Sequence, residues 1–177
     1  MTMKRFEFSQ LSPQHLELLH QWLNEPHVAE RWDGCVSVED VWQRYFGSDR
    51  ESHIDGFLAS LNGSPIGFIQ SYWATQCGDG WWEQERDPGT VGIDFFIGHR
   101  DKLGQGVGTK MIRQFADTLF ANPAVTKIIS DPAPDNLRSI RCLEKAGFQR
   151  IGEIDTPSGA AILMQALRHQ LSSTTSS

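Results

Sequence analysis

Apolar and polar residues alternate along this chain with two different periods, and these periods predict its strands and helices. Residues 5–9 read Arg-Phe-Glu-Phe-Ser, a period of two that is typical of a short strand. Ser12 and Pro13 have the cap and first-turn preferences of a helix start. The predicted helix has one apolar face, formed by Leu16, Leu19, Trp22 and Leu23.

The next segments predict a second helix and then a hairpin. Ser37-Val-Glu-Asp resembles a capping box, so we expect a helix from Ser37 to about Phe46. Two strand-like runs follow at residues 54–61 and 65–74, with Asn62-Gly63 between them. Asn-Gly in this position favours a tight hairpin turn, because both turn residues need positive φ.

The second half of the chain alternates strands and helices after a predicted loop at residues 75–90. The elements expected there are a strand at 90–97, a glycine-rich turn at 104–108, a helix to about 119, a strand at 127–131, a helix at 136–146 and strands at 148–154 and 160–167. The whole order, β-α-α-β-β-β-α-β-α-β-β, predicts an α+β (mixed α/β) fold with a mostly antiparallel central sheet flanked by helices. A doubly wound fold is not expected, since only the later part alternates strand and helix.

Length and composition restrict the class of protein. The 177 residues favour a single domain over residues 1–171, followed by a polar tail at 172–177 that we expect to be disordered. The net charge of −6 argues against nucleic acid and membrane partners and is compatible with a cationic substrate. Neither a signal peptide nor a membrane span is apparent, so we expect a cytoplasmic protein. The three cysteines and six histidines have no metal-ligand spacing, and no metal is expected.

The glycine-rich turn is the strongest chemical signal. Residues 103–109 read Leu-Gly-Gln-Gly-Val-Gly-Thr, between a predicted strand and a predicted helix. Alternating glycines leave backbone N–H groups uncovered at a helix N-terminus, where they bind phosphate. A turn of this kind, taken alone, is more often only structural. A Walker motif is excluded because Lys110 follows Thr109, and the glycine spacing differs from the dinucleotide fingerprint.

Two motifs together resemble the GNAT superfamily of N-acetyltransferases. Residues 104–109 resemble its pyrophosphate-binding turn, and residues 136–148, Asn-Leu-Arg-Ser-Ile-Arg-Cys-Leu-Glu-Lys-Ala-Gly-Phe, resemble its second CoA motif. The resemblance implies the GNAT fold and acetyl-CoA as co-substrate. The cofactor contacts that it implies are Phe95, Phe96 and Ile97 through backbone N–H groups, together with Leu103, Gly104, Gln105, Gly106, Val107, Gly108, Thr109, Asn136 and Arg138.

A longer stretch narrows the resemblance. Residues 77–89, Cys-Gly-Asp-Gly-Trp-Trp-Glu-Gln-Glu-Arg-Asp-Pro-Gly, are similar to aminoglycoside 6′-N-acetyltransferases, and the similarity covers most of residues 14–165. It implies acetyl transfer to the 6′-amine of an aminoglycoside, antibiotic resistance, and a monomer or homodimer. The substrate-binding residues expected on this basis are Trp32, Asp79, Trp81, Trp82, Glu83, Asp94 and Asp131.

The acidic loop suits a polycationic sugar. The five carboxylates from Asp79 to Asp94 are accompanied by one basic residue, Arg86. Carboxylates pair with ammonium groups, and Trp faces cover sugar C–H surfaces or attract cations. The alternatives are a solvated loop for the charges and core packing for the tryptophans, Trp32 included. Asp131 could equally cap the turn that follows it.

Asp94 is the catalytic candidate. It interrupts an otherwise apolar strand, Val-Gly-Ile-Asp-Phe-Phe-Ile, just before the glycine turn. An ammonium cannot attack a thioester, so a base must take a proton from the amine. The resemblance places this base at Asp94; the alternative is a structural hydrogen bond within the sheet.

Two departures from the family pattern affect the expected chemistry. Leu143 stands where the family often has a Tyr that protonates the leaving thiolate, and Ser158 stands where related enzymes have a carboxylate near the drug. Two alternative functions therefore stay open. One is acetylation of another amine, such as a siderophore hydroxylysine or a polyamine, and the other is an acyl-CoA-binding module without catalysis.

Overall fold

The computed structural model describes residues 5–34, 37–48 and 50–168. In this part of the chain there are five α-helices: α1 (Leu16–Leu23), α2 (Pro26–Ala29), α3 (Val38–Tyr45), α4 (Val107–Phe120) and α5 (Leu137–Ala146). The seven strands described are β1 (Phe6–Gln10), β2 (Ile54–Leu61), β3 (Ser64–Trp73), β4 (Thr90–Ile97), β5 (Lys127–Ser130), β6 (Gln149–Thr156) and β7 (Gly159–Leu167). The expected tail at 172–177 lies outside the described residues.

The strands form one sheet with the order β1-β2-β3-β4-β5-β7-β6. Strands β1 and β2 are antiparallel, as are β5 and β7, and β6 and β7, whereas β4 and β5 are parallel. The predicted mixed α and β architecture is therefore confirmed. The sequence pattern missed α2, since a single turn that begins at Pro26 is too short to show a 3.6-residue period.

Local sequence signals determine several turns as expected. Asn62 and Gly63 join β2 to β3 with φ of 53° and 77°, as a tight hairpin turn requires. Ser37 caps α3, because its hydroxyl accepts a hydrogen bond from the Asp40 N–H at 3.1 Å. Ser12 precedes a short 3₁₀ turn at Pro13–His15 that leads directly into α1.

The described chain divides into two compact units. The first comprises the residues up to 70 together with 95–105, and the second comprises residues 71–94 and the chain from 106 onwards. The first unit has an aromatic core in which Trp22, Phe68 and Phe96 are buried. Trp22 meets Phe96 edge-on, with the ring centroids 6.3 Å apart.

In the second unit α4 packs against α5, and α5 packs against β6 and β7. Its most deeply buried side chains include Met111, Ile112, Phe115, Ile128, Ile129, Leu143 and Met164. Arg113 of α4 donates to the Lys145 carbonyl at the end of α5, at 2.6 Å. The second unit contains α4, β5 and β4 as far as Asp94, where several of the predicted site residues lie.

No helix in residues 5–34, 37–48 and 50–168 has the length and apolar character that crossing a membrane requires.

Candidate functional site

Two aspartates lie at the carboxyl end of the parallel pair β4 and β5. The pairing register joins Val91 to Ile128 and Gly92 to Ile129. The same register, continued by two residues, brings Asp94 to the level of Asp131, the first residue after β5. Because alternate residues of a strand share a face, Asp94 is on the face of β4 that Gly92 occupies. The sheet therefore places two carboxylates side by side.

The two carboxylates interact strongly. Burial of Asp131, followed by the negative charge of Asp94, raises the pKa of the Asp131 carboxyl from its ordinary value near 3.8 to about 7. Near neutral pH, the pair consequently holds a proton for a large part of the time. A cation between the two side chains would displace that proton, since it favours the charged form of both.

Tyr72 of β3 lies against Gly92 of β4, two residues before Asp94, and was not among the predicted site residues. Its side chain is buried, and its ring lies across Gly92: a Cβ added there would lie 2.6 Å from the Tyr72 hydroxyl oxygen. Burial raises the pKa of the Tyr72 phenol well above its usual value, and the charges of Asp94 and Asp131 raise it further. The phenol therefore stays protonated near neutral pH.

A cleft of about 350 Å³ is formed by the acidic loop in the second unit. Asp79, Trp81, Trp82 and Glu83 line it, together with Ala74, Thr75, Cys77, Gly78, Gly80, Glu85 and Arg86. The structure thus brings four of the predicted substrate residues together. Asp79 and Glu83 are exposed, so that their carboxylates are open to a solute.

The two adjacent tryptophans are both partly buried, with ring centroids 6.4 Å apart and a 44° angle between the rings. Trp82 has φ of 56°, a left-handed conformation that is rare for a bulky residue and costs backbone energy. Its indole N–H acts as a donor that lowers the pKa of the Tyr72 phenol, yet Nε1 is buried without an acceptor at full hydrogen-bond geometry. The Trp82–Tyr72 contact is therefore weak.

Glu85 and Asp87 have a different role from the one expected of the loop carboxylates. Lys127 of β5 contacts Glu85 at 2.8 Å, and both of these side chains are largely buried. Burial opposes ionisation of Glu85, but the hydrogen bonds from Lys127 and from the backbone N–H groups of Arg86 and Asp87 outweigh it and lower its pKa. The Thr126 hydroxyl donates to Asp87 at 2.6 Å and lowers the pKa of that carboxyl. These two carboxylates tether the loop to the start of β5.

The glycine turn has the backbone that the phosphate-binding prediction requires. Gly104 and Gly106 have φ of 73° and 74°, and Gly106 is the N-cap of α4. Residues 104–106 are exposed, and no atom lies within 4 Å of a Cβ added at Gly104 or Gly106. The first turn of α4, Val107, Gly108 and Thr109, is partly buried. Leu103 is also partly buried, and Gln105 donates to the Asp101 carbonyl.

The other predicted cofactor residues occupy places consistent with backbone rather than side-chain contacts. Phe95, Phe96 and Ile97 end β4, and the Phe96 side chain is committed to the core of the first unit. Asn136 caps α5, because its Oδ1 accepts the Ser139 N–H at 3.3 Å. Arg138, in the first turn of α5, is exposed. Binding roles for these residues stay predictions.

Trp32 belongs to the first unit and takes part in its core. It is partly buried and meets Phe96 edge-on at 5.0 Å and Phe68 edge-on at 5.8 Å between ring centroids. These contacts account for the tryptophan by packing alone. Its expected role at the substrate stays a prediction.

Leu143 is fully buried in α5, and its neighbour Cys142 does not replace the missing tyrosine. The Cys142 Sγ lies 3.5 Å from the Thr109 hydroxyl, and burial raises the pKa of the Cys142 thiol. The thiol therefore stays protonated at neutral pH, and Leu143 has no proton to donate.

Comparison with known proteins identifies the family. The profile of the acetyltransferase (GNAT) domain matches residues 12–156. The chain belongs to this family. Over 165 residues it is 46% identical to aminoglycoside N(6′)-acetyltransferase type 1 of Klebsiella pneumoniae, a match that covers 91% of this chain and 82% of the relative. The resemblance drawn from the glycine turn and the 136–148 motif is thereby confirmed.

Solved structures agree with this assignment. The crystal structure of aminoglycoside acetyltransferase AAC(6′)-Ib in complex with coenzyme A matches with a TM-score of 0.91 and 42% identity, covering 97% of this chain and 100% of that chain. The complex of the same enzyme with coenzyme A and kanamycin matches with the same score, identity and coverage. The expected GNAT fold is confirmed.

Tyr72 is the site residue that the sequence reasoning missed. A usable signal was present, because Tyr72 lies near the end of a predicted strand and is one of only two tyrosines in the chain. The pattern gave no indication that Gly92 leaves room for the ring beside Asp94, since that requires the neighbouring positions of β3 and β4 in the sheet.

The loop tether predicts a stability effect. Lys127→Met leaves Glu85 largely buried without its cation, and we expect the free energy of unfolding at pH 7 to fall by about 1–3 kcal/mol, measured by urea denaturation. Because the folded-state pKa of Glu85 is lowered, the difference should shrink as the pH falls through that pKa. Lys102→Met removes an exposed pair with Asp101 and should cost less than about 1 kcal/mol. Equal losses in the two variants would contradict the tether.

Proposed function

We propose that the chain transfers an acetyl group from acetyl-CoA to the 6′-amino group of aminoglycoside antibiotics and so confers resistance to them. The observation that carries the proposal is the pair Asp94 and Asp131 at the end of β4 and β5, in the unit that also contains the acidic tryptophan cleft. The relatives with 42% and 46% identity are named for this activity.

Asp94 acts as the base. The substrate amine arrives as an ammonium, which has no lone pair, and Asp94 accepts one of its protons directly or through a water. The nitrogen then forms the new bond to the acetyl carbon while the bond to sulfur breaks, and the sulfur leaves with the electron pair. The nitrogen releases its second proton to solvent, which gives the neutral amide. Asp131 adds a second carboxylate that becomes charged when the ammonium binds, because the ammonium outweighs the repulsion from Asp94.

The cleft is suited to a polycationic substrate. Asp79 and Glu83 present exposed carboxylates, and Trp81 and Trp82 present ring surface. A single exposed ion pair contributes only about 0.2–1 kcal/mol, so micromolar binding requires several contacts at once. An aminoglycoside supplies several ammonium groups and sugar C–H surface together, whereas a monoamine supplies one charge.

Ser158 affects the substrate range through its place in the fold. It lies in the turn between β6 and β7, and a Cβ added at Gly80 would lie 3.2 Å from the neighbouring Pro157 ring. This turn therefore adjoins the substrate loop. A serine there brings no charge to the drug, where related enzymes have a carboxylate, so fewer ammonium groups are recognised at this edge.

Acetyl-CoA binds along the start of α4. The exposed turn at residues 104–108 offers backbone N–H groups and the positive end of the α4 dipole to the pyrophosphate. The N–H groups of Phe95 to Ile97 polarise the thioester carbonyl, which raises the reactivity of the acetyl carbon. We propose a cytoplasmic protein, because acetyl-CoA is available there, and a monomer or homodimer, as the family resemblance implies.

A matched pair of drugs tests the proposal. Two aminoglycosides that differ only in an amine or a hydroxyl at the 6′ carbon are compared in a thiol-release assay with acetyl-CoA. We expect turnover of the amine and essentially none of the hydroxyl compound. Equal acetylation of both contradicts the regiochemistry. Turnover of hydroxylysine or a polyamine in preference to either drug supports the alternative amine substrates, and no turnover of any amine supports a binding module.

Asp94→Asn tests the base. The amide keeps the shape of the side chain but cannot accept the proton, so kcat should fall by on the order of 10²–10⁴-fold while the KM for the drug changes little. Glu153→Gln in β6, outside the proposed site, is the control for loss of one carboxylate. Near-normal turnover by Asp94→Asn at neutral pH would show that Asp94 is structural.

Gly106→Asp tests the phosphate turn. The side chain would lie where the pyrophosphate is expected and would add a negative charge beside it, so we expect the Kd for acetyl-CoA to rise by at least tenfold, by calorimetry. Asn tolerates positive φ similarly, and Gly106→Asn serves as the uncharged control for the backbone. Unchanged affinity in a folded Gly106→Asp protein excludes the turn as the phosphate site.

A further inference from the structure

The peptide bond between Ile97 and Gly98, at the end of β4, is held at both of its polar groups. The His27 Nε2 atom of α2 lies 2.8 Å from the Ile97 carbonyl oxygen. The Gly98 N–H donates to the Ile66 carbonyl of β3 at 2.9 Å. Gly98 has no room for a side chain, because a Cβ there would overlap the ring of Trp22 in α1. Three elements of the first unit thus fix the orientation of this peptide.

The imidazole of His27 contributes one hydrogen bond to this arrangement. A carbonyl oxygen can only accept, so Nε2 carries the hydrogen and donates it to Ile97. The other ring nitrogen, Nδ1, is buried and has no hydrogen-bond partner within the described part of the chain. An unpartnered buried nitrogen costs free energy, which an apolar side chain in the same place would avoid. The Nε2–H donor is therefore what distinguishes histidine from leucine at this position.

The two edges of β4 have different partners at this end of the strand. Backbone polar groups of successive strand residues point to opposite edges. Gly98 faces β3 through its N–H, and Phe96 also faces β3, because a Cβ added at Gly67 would overlap the Phe96 carbonyl oxygen. Phe95 and Ile97 therefore present their N–H and C=O groups to the opposite edge, where the His27 ring binds.

On this second edge, His27 supplies a hydrogen bond that a neighbouring strand would otherwise supply. The ladder between β4 and β5 covers Thr90 to Gly92, and β5 itself ends at Ser130. Strand residues beyond a ladder need other partners for their polar groups, and His27 is that partner for the Ile97 carbonyl. The Ile97 N–H shares this edge with the carbonyl.

We infer that His27 is a positioning residue for the acetyl group of acetyl-CoA: its hydrogen bond to the Ile97 carbonyl fixes the end of β4, so that the Ile97 N–H is directed to the thioester carbonyl. The inference rests on the proposed function in one respect only, the contact of the β4 end with the thioester. It selects the N–H groups of Phe95 and Ile97 from the three proposed there, since the Phe96 N–H faces β3. The identity of the acceptor amine has no bearing on it.

The dissociation constants of acetyl-CoA and CoA separate a contact at the thioester from binding elsewhere on the cofactor, because the two ligands differ only in the acetyl group. His27→Leu removes the donor, and we expect the Kd for acetyl-CoA, by calorimetry, to rise by about threefold to tenfold, the range for one lost hydrogen bond. The Kd for CoA should stay within about twofold. His27→Gln keeps an N–H donor and should bring the acetyl-CoA value back to within about twofold.

His15→Leu is the matched control. It also removes a hydrogen bond between an imidazole and the backbone in the first unit, since the His15 Nδ1 accepts from the Ser12 N–H at 3.1 Å. Both dissociation constants should stay as they are in the unmodified protein. An equal rise for acetyl-CoA and CoA in His27→Leu shows a structural role and overturns the inference, as does no rise for either ligand.

An NMR measurement on the unmodified protein keeps the inference testable if His27→Leu does not fold. With ¹³C in the isoleucine carbonyls and ¹⁵N in the glycines, only Ile–Gly peptides give a correlation, and the sequence has three, at residues 66–67, 97–98 and 151–152. Ile97→Val assigns the 97–98 signal. Acetyl-CoA should shift this signal more than CoA does, whereas the 151–152 signal of β6 should respond to both ligands alike. Equal shifts of the 97–98 signal with the two ligands overturn the inference.

The tautomer of His27 gives a test without any ligand. A two-bond ¹H–¹⁵N spectrum of the imidazole rings, assigned with His27→Gln and recorded at about pH 8.5, where an ordinary imidazole is neutral, should place the hydrogen of His27 on Nε2. Hydrogen on Nδ1 leaves no donor for the Ile97 carbonyl and overturns the inference. Both NMR measurements use no acceptor amine, so their outcome is independent of whether any aminoglycoside is acetylated.

Discussion

Repulsion between two neighbouring carboxylates is the constraint on which this site depends. Asp94 and Asp131 are at one level of adjacent parallel strands, and the sheet register leaves neither free to move away. Burial and the charge of Asp94 together raise the pKa of Asp131 to about 7, so the pair is strained as a dianion and relieved by a proton or an ammonium. The fold thus favours binding of a cation at the place where the substrate amine must lose its proton.

The carboxylates of the acidic loop have two roles: some anchor the loop to β5, and others are exposed to a ligand. Glu85 and Asp87 are bound to Lys127 and Thr126 at the start of β5, the strand that ends just before Asp131. The acidic loop is therefore anchored to the same strand that leads to Asp131. Asp79 and Glu83 are exposed and take no part in this anchor.

Local signals in the sequence predicted the seven strands that the structure describes and its helices other than α2. Asn62-Gly63, the Ser37 cap and the glycine turn each act through neighbouring backbone, and each formed as expected. The roles of Glu85 and Tyr72 were not predictable in this way, because their partners are 42 and 22 residues away along the chain (Lys127 and Asp94). Charge along a loop indicates an acidic surface, but only the strand order determines which carboxylates are neutralised within the protein.

The proton balance of the reaction explains why Leu143 can replace the tyrosine that the family often has at this position. The attacking nitrogen gives up protons, and the departing sulfur needs one. A thiol pKa of about 8.5 means that the sulfur can leave as a thiolate and take a proton from water near neutral pH, so an acid is helpful but dispensable. No comparable substitute exists for the base, since an ammonium has no lone pair with which to attack. A chain that lacks the acid but keeps Asp94 and Asp131 has kept the part of the chemistry that solvent cannot supply.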